Sequence, residues 1–159
     1  MQALVPPLIR EFLSRKRIAV AGVSRDSKGS PANAIYRKLS DSGYVVSAVN
    51  PKSEVVEGEV CYPDLKSIPE LPEAVVTVTQ PEATMSVARQ CAELGIDLLW
   101  MHQSFRMLGT SVSEEAVRFC EERGIKVIRG ACPMMFVEPV DVAHKCGRWL
   151  LRATGSLPK

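Results

Sequence analysis

Residues 20–31 read VAGVSRDSKGSP, an apolar run that turns at a glycine into a stretch holding Ser24, Ser27, Ser30, Arg25 and Lys28. Hydroxyl donors interleaved with cations suit a phosphate, because charge-assisted hydrogen bonds to an anion are roughly twice as strong as neutral ones. The stretch ends in Ser30-Pro31, an N-cap residue followed by proline at the first helical position, so a helix N-terminus with unpaired amides opens there and adds its own preference for anions. Gly22, Val23, Ser24, Arg25, Asp26, Ser27, Lys28 and Ser30 are therefore the first candidate binding residues. A dinucleotide loop of the Gly-x-Gly-x-x-Gly type would need three glycines, for a tight turn, close backbone approach and close helix packing. Only Gly22 is present, with Ser24 and Ser27 in the other two places. The loop is built for phosphate without the NAD pattern.

A second candidate group, VNPK at 49–52, follows the next apolar run. An NAD site places an acid at the end of that strand to bond both ribose hydroxyls. Asn50, Pro51 and Lys52 stand there instead, and a cation favours a phosphorylated ribose or a second phosphate. NADP and coenzyme A both fit that charge. Two further strand ends, TVTQP and WMHQS, place Thr79, Gln80, Pro81, Trp100, Met101 and His102 toward the same side. Trp100 and Met101 lie within an apolar run, which favours packing over stacking on a ligand. His102 has the chemistry of a base or a ligand contact. No acid or nucleophile pairs with it in the sequence, so catalysis is not expected and an NADP-dependent oxidoreductase using His102 is the alternative.

Apolar runs of strand length occur at 17–23, 44–50, 74–79, 96–102 and 125–130. They are nearly continuous, the signature of strands covered on both faces, as in a parallel sheet between helix layers. Between them, Ala32, Ile35 and Leu39, then Val87, Cys91 and Leu94, then Ala116, Val117 and Cys120 recur at helical spacing, and Gly43, Gly95 and Gly124 fall where left-handed C-caps belong. Helices are also expected at PPLIREFLSR and VDVAHKCGRWLLRAT. The segment between Pro51 and Glu73 carries three further prolines and a glycine, leaving room for one short helical turn near Asp64 to Ile68 in an irregular connection. The expectation is a Rossmann-like α/β domain: a doubly wound parallel sheet of five strands, order 3-2-1-4-5, helices on both faces, with its crevice at the carboxyl ends of strands one and four.

The 159 residues, 46% hydrophobic, suit one domain over 1–159 with its core at about 10–150, since a chain of this length hides roughly 70% of its surface. Twenty basic and 18 acidic residues, interspersed, give a formal charge of +2 and no broad field to attract nucleic acid. Five cysteines without a Cys-x-x-Cys pair fit neither a disulfide nor a metal framework and point to a reducing, cytoplasmic setting. The opening segment is broken by Pro6 and Pro7 and followed by charges, unlike a signal peptide or membrane span.

Taken together, IAVAGVSRDSKGSPA, VVSAVNPK, CYPDLKSIP, VTVTQPE, WMH and VIRGACPM resemble the small CoA-binding domain proteins, whose fold is similar to the N-terminal domain of the succinyl-CoA synthetase alpha subunit. The likeness covers about residues 10 to 150. It implies contacts to CoA from Ser24, Arg25, Asp26 and Ser27, from Lys52, and from Trp100, Met101 and His102. His102 stands where the synthetase has glutamate and stand-alone members commonly have glutamine, and Ala131 replaces the asparagine of an Asn-Cys-Pro stretch. The synthetase's phosphorylated histidine lies in a second domain, so acyl phosphate chemistry is not implied. The expected function is a CoA- or acyl-CoA-binding protein without metal and without its own chemistry, or a CoA-responsive partner subunit of another enzyme. Cys132, in GACPM beyond the fifth run, falls on the carboxyl edge, with no histidine beside it in the sequence.

Overall fold

The computed structural model describes residues 5–104 and 109–158. Element order is α1 (Pro7–Ser14), β1 (Arg17–Ala21), α2 (Pro31–Asp41), β2 (Val45–Val49), β3 (Val55–Val56), β4 (Glu59–Tyr62), β5 (Ala74–Thr77), α3 (Pro81–Leu94), β6 (Leu98–Met101), α4 (Glu114–Glu121), β7 (Lys126–Arg129) and α5 (Val142–Ala153). Short 3-10 turns occupy Leu65–Ser67 and Pro133–Met135.

The sheet orders its strands β3-β4-β2-β1-β5-β6-β7, all parallel except β3, which pairs antiparallel with β4. The Rossmann-like class is as expected, but strand count and order differ from the five-strand expectation. The connection expected to be irregular contains a hairpin, Val55–Val56 against Val60–Glu59, and its second arm adds to β2 with Ala48 opposite Cys61. That arm is the third strand of the winding. The run at 74–77 therefore does not pair with β2; it crosses to the other side of β1, with Ile18 opposite Ala74. The winding reverses between β1 and β5, and the crevice opens at the carboxyl ends of those two strands.

Side chains alternate across the pleat. Ile18 and Val20 of β1, Ala74 and Val76 of β5, Leu98 and Trp100 of β6 and Ile128 of β7 pack with Ile9 and Phe12 of α1 and Ala32, Ile35 and Leu39 of α2. Ala19, Ala21, Val75, Leu99 and Met101 face the opposite way, onto Val87, Ala88 and Cys91 of α3 and Ala116, Val117 and Cys120 of α4. Two layers of helices thus cover the two faces, which is why the strand sequences are apolar at consecutive positions. The helix stripes read from spacing are the ones buried, Leu94 only in part, and the expected caps form: Ser30 Oγ accepts from the Asn33 amide, and Gly95 ends α3 in a left-handed conformation. On α5 only Gly147 is buried, and Val142 and Trp149 are 76% and 69% exposed. No helix among the described residues is long and apolar enough to cross a membrane.

Candidate functional site

Among the described glycines, the one with least room for a side chain is at the switch point. Gly22 leaves β1 with φ of 100°, and a Cβ there would sit 2.2 Å from the Val78 carbonyl oxygen that follows β5. Only glycine brings β1 and β5 this close while turning the chain over the sheet edge.

Beyond Gly22 the loop is organised by a residue that sequence reasoning passed over. Asn33, in the first turn of α2, is fully buried. Its Oδ1 accepts from the Ser24 amide at 2.8 Å and from Ser30 Oγ at 2.7 Å; its Nδ2 donates to the Ser24 carbonyl at 2.8 Å and to Glu57 Oε1 at 2.8 Å. Glu57, on the β3–β4 turn, also accepts from Arg37 at 2.6 Å, and the hydrogen bonds from Asn33 and then Arg37 hold its carboxyl below the usual glutamate range. The amide is thus a four-way joint between loop, helix and hairpin. Asx-type turns order the tip: Asp26 N donates to Ser24 Oγ at 3.2 Å and Lys28 N to Asp26 Oδ1 at 3.1 Å. With Ser24, Asp26 and Ser30 committed to the loop's own geometry, Arg25 and Lys28 remain exposed on the loop that leads into α2, and no ion pair involves either among the described residues.

Asn50 performs the same service for the second cationic group. Its Nδ2 donates to the Val23 carbonyl at 2.6 Å, its Oδ1 accepts from the Lys52 amide at 2.8 Å, and its own amide donates to the Tyr62 carbonyl at 2.9 Å. The Asn50-Pro51-Lys52-Ser53 turn, closed by Ser53 N to Asn50 O at 3.3 Å, is therefore fastened to the loop after β1. Lys52 is exposed beside it.

On the β5 side, Thr79 belongs to a chain of hydroxyls: Thr77 Oγ1 lies 2.8 Å and Thr84 Oγ1 3.1 Å from Thr79 Oγ1, and Thr84 Oγ1 donates to the Ser111 carbonyl at 2.7 Å. Ser111 Oγ closes the ring, donating to the Thr79 carbonyl and accepting from its amide at 2.7 and 2.9 Å. Gln80 precedes Pro81 at the start of α3 without capping it through its side chain. A recess of about 300 Å³ is lined by Gly22, Pro31, Thr79, Gln80, His102 and Ser111. A second recess of about 350 Å³ shares Ser30, Pro31, His102 and Ser104 with it and runs the other way over α2, toward Cys132, Met135 and His144. The two make one trough across the N-terminus of α2.

Trp100 and Met101 do not reach this trough. Both are fully buried, Trp100 in the α1–α2 core with its ring edge-on to Phe12 at 5.1 Å and Nε1 donating to the Gly130 carbonyl at 2.9 Å, Met101 in the core beneath α3 and α4. Their alternation on a doubly covered strand fixes this, and it turns both side chains of this pair of candidate residues into the core. His102, one position on, does line the trough while only 3% exposed, and burial lowers its pKa to about 4, so the ring is neutral near pH 7. Among the described residues no group of three or more His, Cys, Asp or Glu is placed to hold a metal ion.

A mostly parallel sheet wound on both faces, with a cation-bearing loop leading into a helix at its switch point, defines the chain as a Rossmann-like α/β domain. Its lineage within that class is clear from sequence: residues 16–138 match the CoA binding domain model, and the chain belongs to that family. It is 30% identical over 137 residues to the uncharacterized protein YneT of Bacillus subtilis (strain 168), across 86% of this chain and 91% of that one. It is similar to a hypothetical protein from Pyrococcus horikoshii OT3, with a TM-score of 0.74, 32% identity and coverage of 83% and 89%. It also matches part of acetate–CoA ligase [ADP-forming] I of Archaeoglobus fulgidus, 26% identical over 121 residues, which are 74% of this chain but 18% of the ligase.

Proposed function

We propose that this chain is a CoA-binding module that holds CoA or an acyl-CoA across the N-terminus of α2 and turns over no substrate of its own. The observation that carries this is the joint made by Asn33 and Asn50, which fastens the loop bearing Arg25 and Lys28 to the first turn of α2 and to the turn bearing Lys52, all three cations being exposed. CoA carries a diphosphate and a separate ribose phosphate. The loop and the α2 amides suit the diphosphate, and Lys52, one strand over, suits the ribose phosphate. Membership of a CoA binding domain family supports the same ligand.

Calorimetry with CoA and dephospho-CoA tests it. Removing one partner of a charge-assisted contact costs about 1.5–3 kcal/mol, so dephospho-CoA should bind roughly tenfold to a hundredfold more weakly. Lys52→Glu should weaken CoA by at least as much while leaving dephospho-CoA nearly unaffected, and the fold should tolerate it, since an exposed substitution costs within about ±0.5 kcal/mol. Equal affinity for the two ligands would remove Lys52 from the site. An NADPH titration followed by fluorescence serves as the control for the oxidoreductase alternative; no nicotinamide signal is expected.

The likeness to a segment that is 18% of a ligase favours a second reading, in which the module reports CoA to a separate enzyme. Pull-downs with purified protein, with and without CoA, distinguish it: a protein retained only in the presence of CoA supports the partner role.

A further inference from the structure

The arm of the trough that leads away from the phosphate loop ends in a group of reactive side chains brought from three parts of the chain. Cys132 enters the turn after β7, 6% exposed, and lines the groove with His102 and His144. His144, in the first turn of α5, has Nδ1 2.6 Å from Asp141 Oδ2. That carboxylate accepts the Nδ1 proton and leaves Nε2 as the free acceptor. His102 lines the same recess, 3% exposed, its ring bonded to no side chain among the described residues. A thiol and a carboxylate-backed imidazole that line one recess bring a nucleophile and a base to the same ligand space. Nothing in a CoA-holding role needs it.

We propose that Cys132 captures the coenzyme's sulfur from CoA disulfide, forming a protein–CoA mixed disulfide. This rests on the proposed CoA site: with phosphates at the Ser24–Ser30 loop, the pantetheine arm runs down the groove to its Cys132 end. Cys132 Sγ gives its proton to His144 Nε2 and attacks one sulfur of the bound disulfide. A new S–S bond forms between Cys132 and CoA, the old S–S bond breaks, and the second CoA leaves as thiolate and takes the proton from His144. The protein thiol is oxidised, the disulfide is its oxidant, and one free CoA thiol is released per capture.

The surroundings make the capture selective. Burial pushes the Cys132 thiol up to about 11 and leaves it 6% exposed, so a disulfide that is not held beside it reacts slowly. A ligand anchored by its phosphates is held against the sulfur at a high effective concentration. Cys146, exposed on the outer side of α5, lacks both features and serves as the internal comparison.

The test exposes the reduced full-length protein to CoA disulfide and, separately, glutathione disulfide, with intact-mass spectrometry and peptide mapping. Cys132 should take up one CoA at least about tenfold faster than it takes up glutathione, as expected if anchoring supplies the rate. Cys132→Ser and Cys132→Ala should lose that adduct and Cys146→Ser keep it. His144→Asn should slow capture at saturating CoA disulfide by about a hundredfold, the low end of what a positioned base contributes. Peptide mapping of the parent protein decides the site even if a Cys132 variant folds poorly. An adduct on Cys146 or Cys61, equal rates with both disulfides, or no adduct while calorimetry shows bound CoA overturns the capture alone. Absence of CoA binding by calorimetry overturns the proposed function and the capture together.

Discussion

Gly22, Asn33 and His102 are the residues on which the candidate site turns, each for a different physical reason. Gly22→Ala would have to place a methyl group 2.2 Å from a carbonyl oxygen in a backbone conformation that disfavours any side chain. A loss of roughly 3 kcal/mol in unfolding free energy is expected, measurable by urea denaturation. Asn33→Ala leaves the Ser24 amide and carbonyl without their partners. It should cost about 1–3 kcal/mol, and hydrogen exchange at residues 24–30 should quicken before the rest of the fold responds. His102 is buried as the neutral ring, with its pKa lowered from 6.5 to about 4. A lowered folded-state value means the unfolded chain takes up the proton first. Stability is therefore intact above about 6.5 and falls as pH drops toward 4, by on the order of 3 kcal/mol in total. In His102→Gln the pH dependence over that interval should flatten, as followed by thermal melts between pH 4 and pH 7.

At the scale of elements, the parts legible in the sequence are those whose packing is two-sided. Five strands read as unbroken apolar runs because a helix layer lies over each face, and the helix stripes ending at Gly43, Gly95 and Gly124 read as clearly. The β3–β4 hairpin left no such trace. Val55 and Val60 are about 60% exposed, the arms are two and four residues long, and acidic residues and prolines surround them, so neither periodicity nor length distinguishes the segment from a loop. Missing it misassigned the third strand of the winding and, with it, the partner of β1 across the crevice. The site was legible to the same extent. The serine-rich loop and Lys52 stand out by position and charge, whereas Asn33 and Ser111 act through bonds between elements that only the fold brings together. Cys132 and His144, twelve residues apart along the chain, share a groove because the turn after β7 carries α5 back over the edge. Trp100 and Met101 show the limit in reverse: a strand's end marks the crevice, yet the pleat directs its last apolar side chains into the core.

For the whole molecule, ligand binding and folding are one equilibrium. CoA at a hundred times its dissociation constant should add about 2.7 kcal/mol to the stability, which for a chain of this size raises the thermal midpoint by roughly 5–10 °C. The proposed contacts are exposed cations on a chain of formal charge +2, so the shift comes from local charge. It should shrink at about 1 M KCl, where the screening length falls to about 3 Å, and differential scanning calorimetry at low and high salt checks this. A shift insensitive to salt would point to apolar contacts as the source of affinity.

The hairpin that escaped detection also settles how the sheet stops. An open parallel sheet presents a row of unpaired amides and carbonyls at each margin, a template on which a neighbouring molecule's strand can add. On one margin the last strand, β3, has only two residues, bracketed by Glu54 and Glu57 and facing Glu59 on its partner arm. On the other, β7 begins and ends in Lys126 and Arg129, which pair with Glu11 and Glu114. Any strand approaching either side meets charge before it meets backbone, so the protein keeps an apolar two-faced sheet from growing into a fibre.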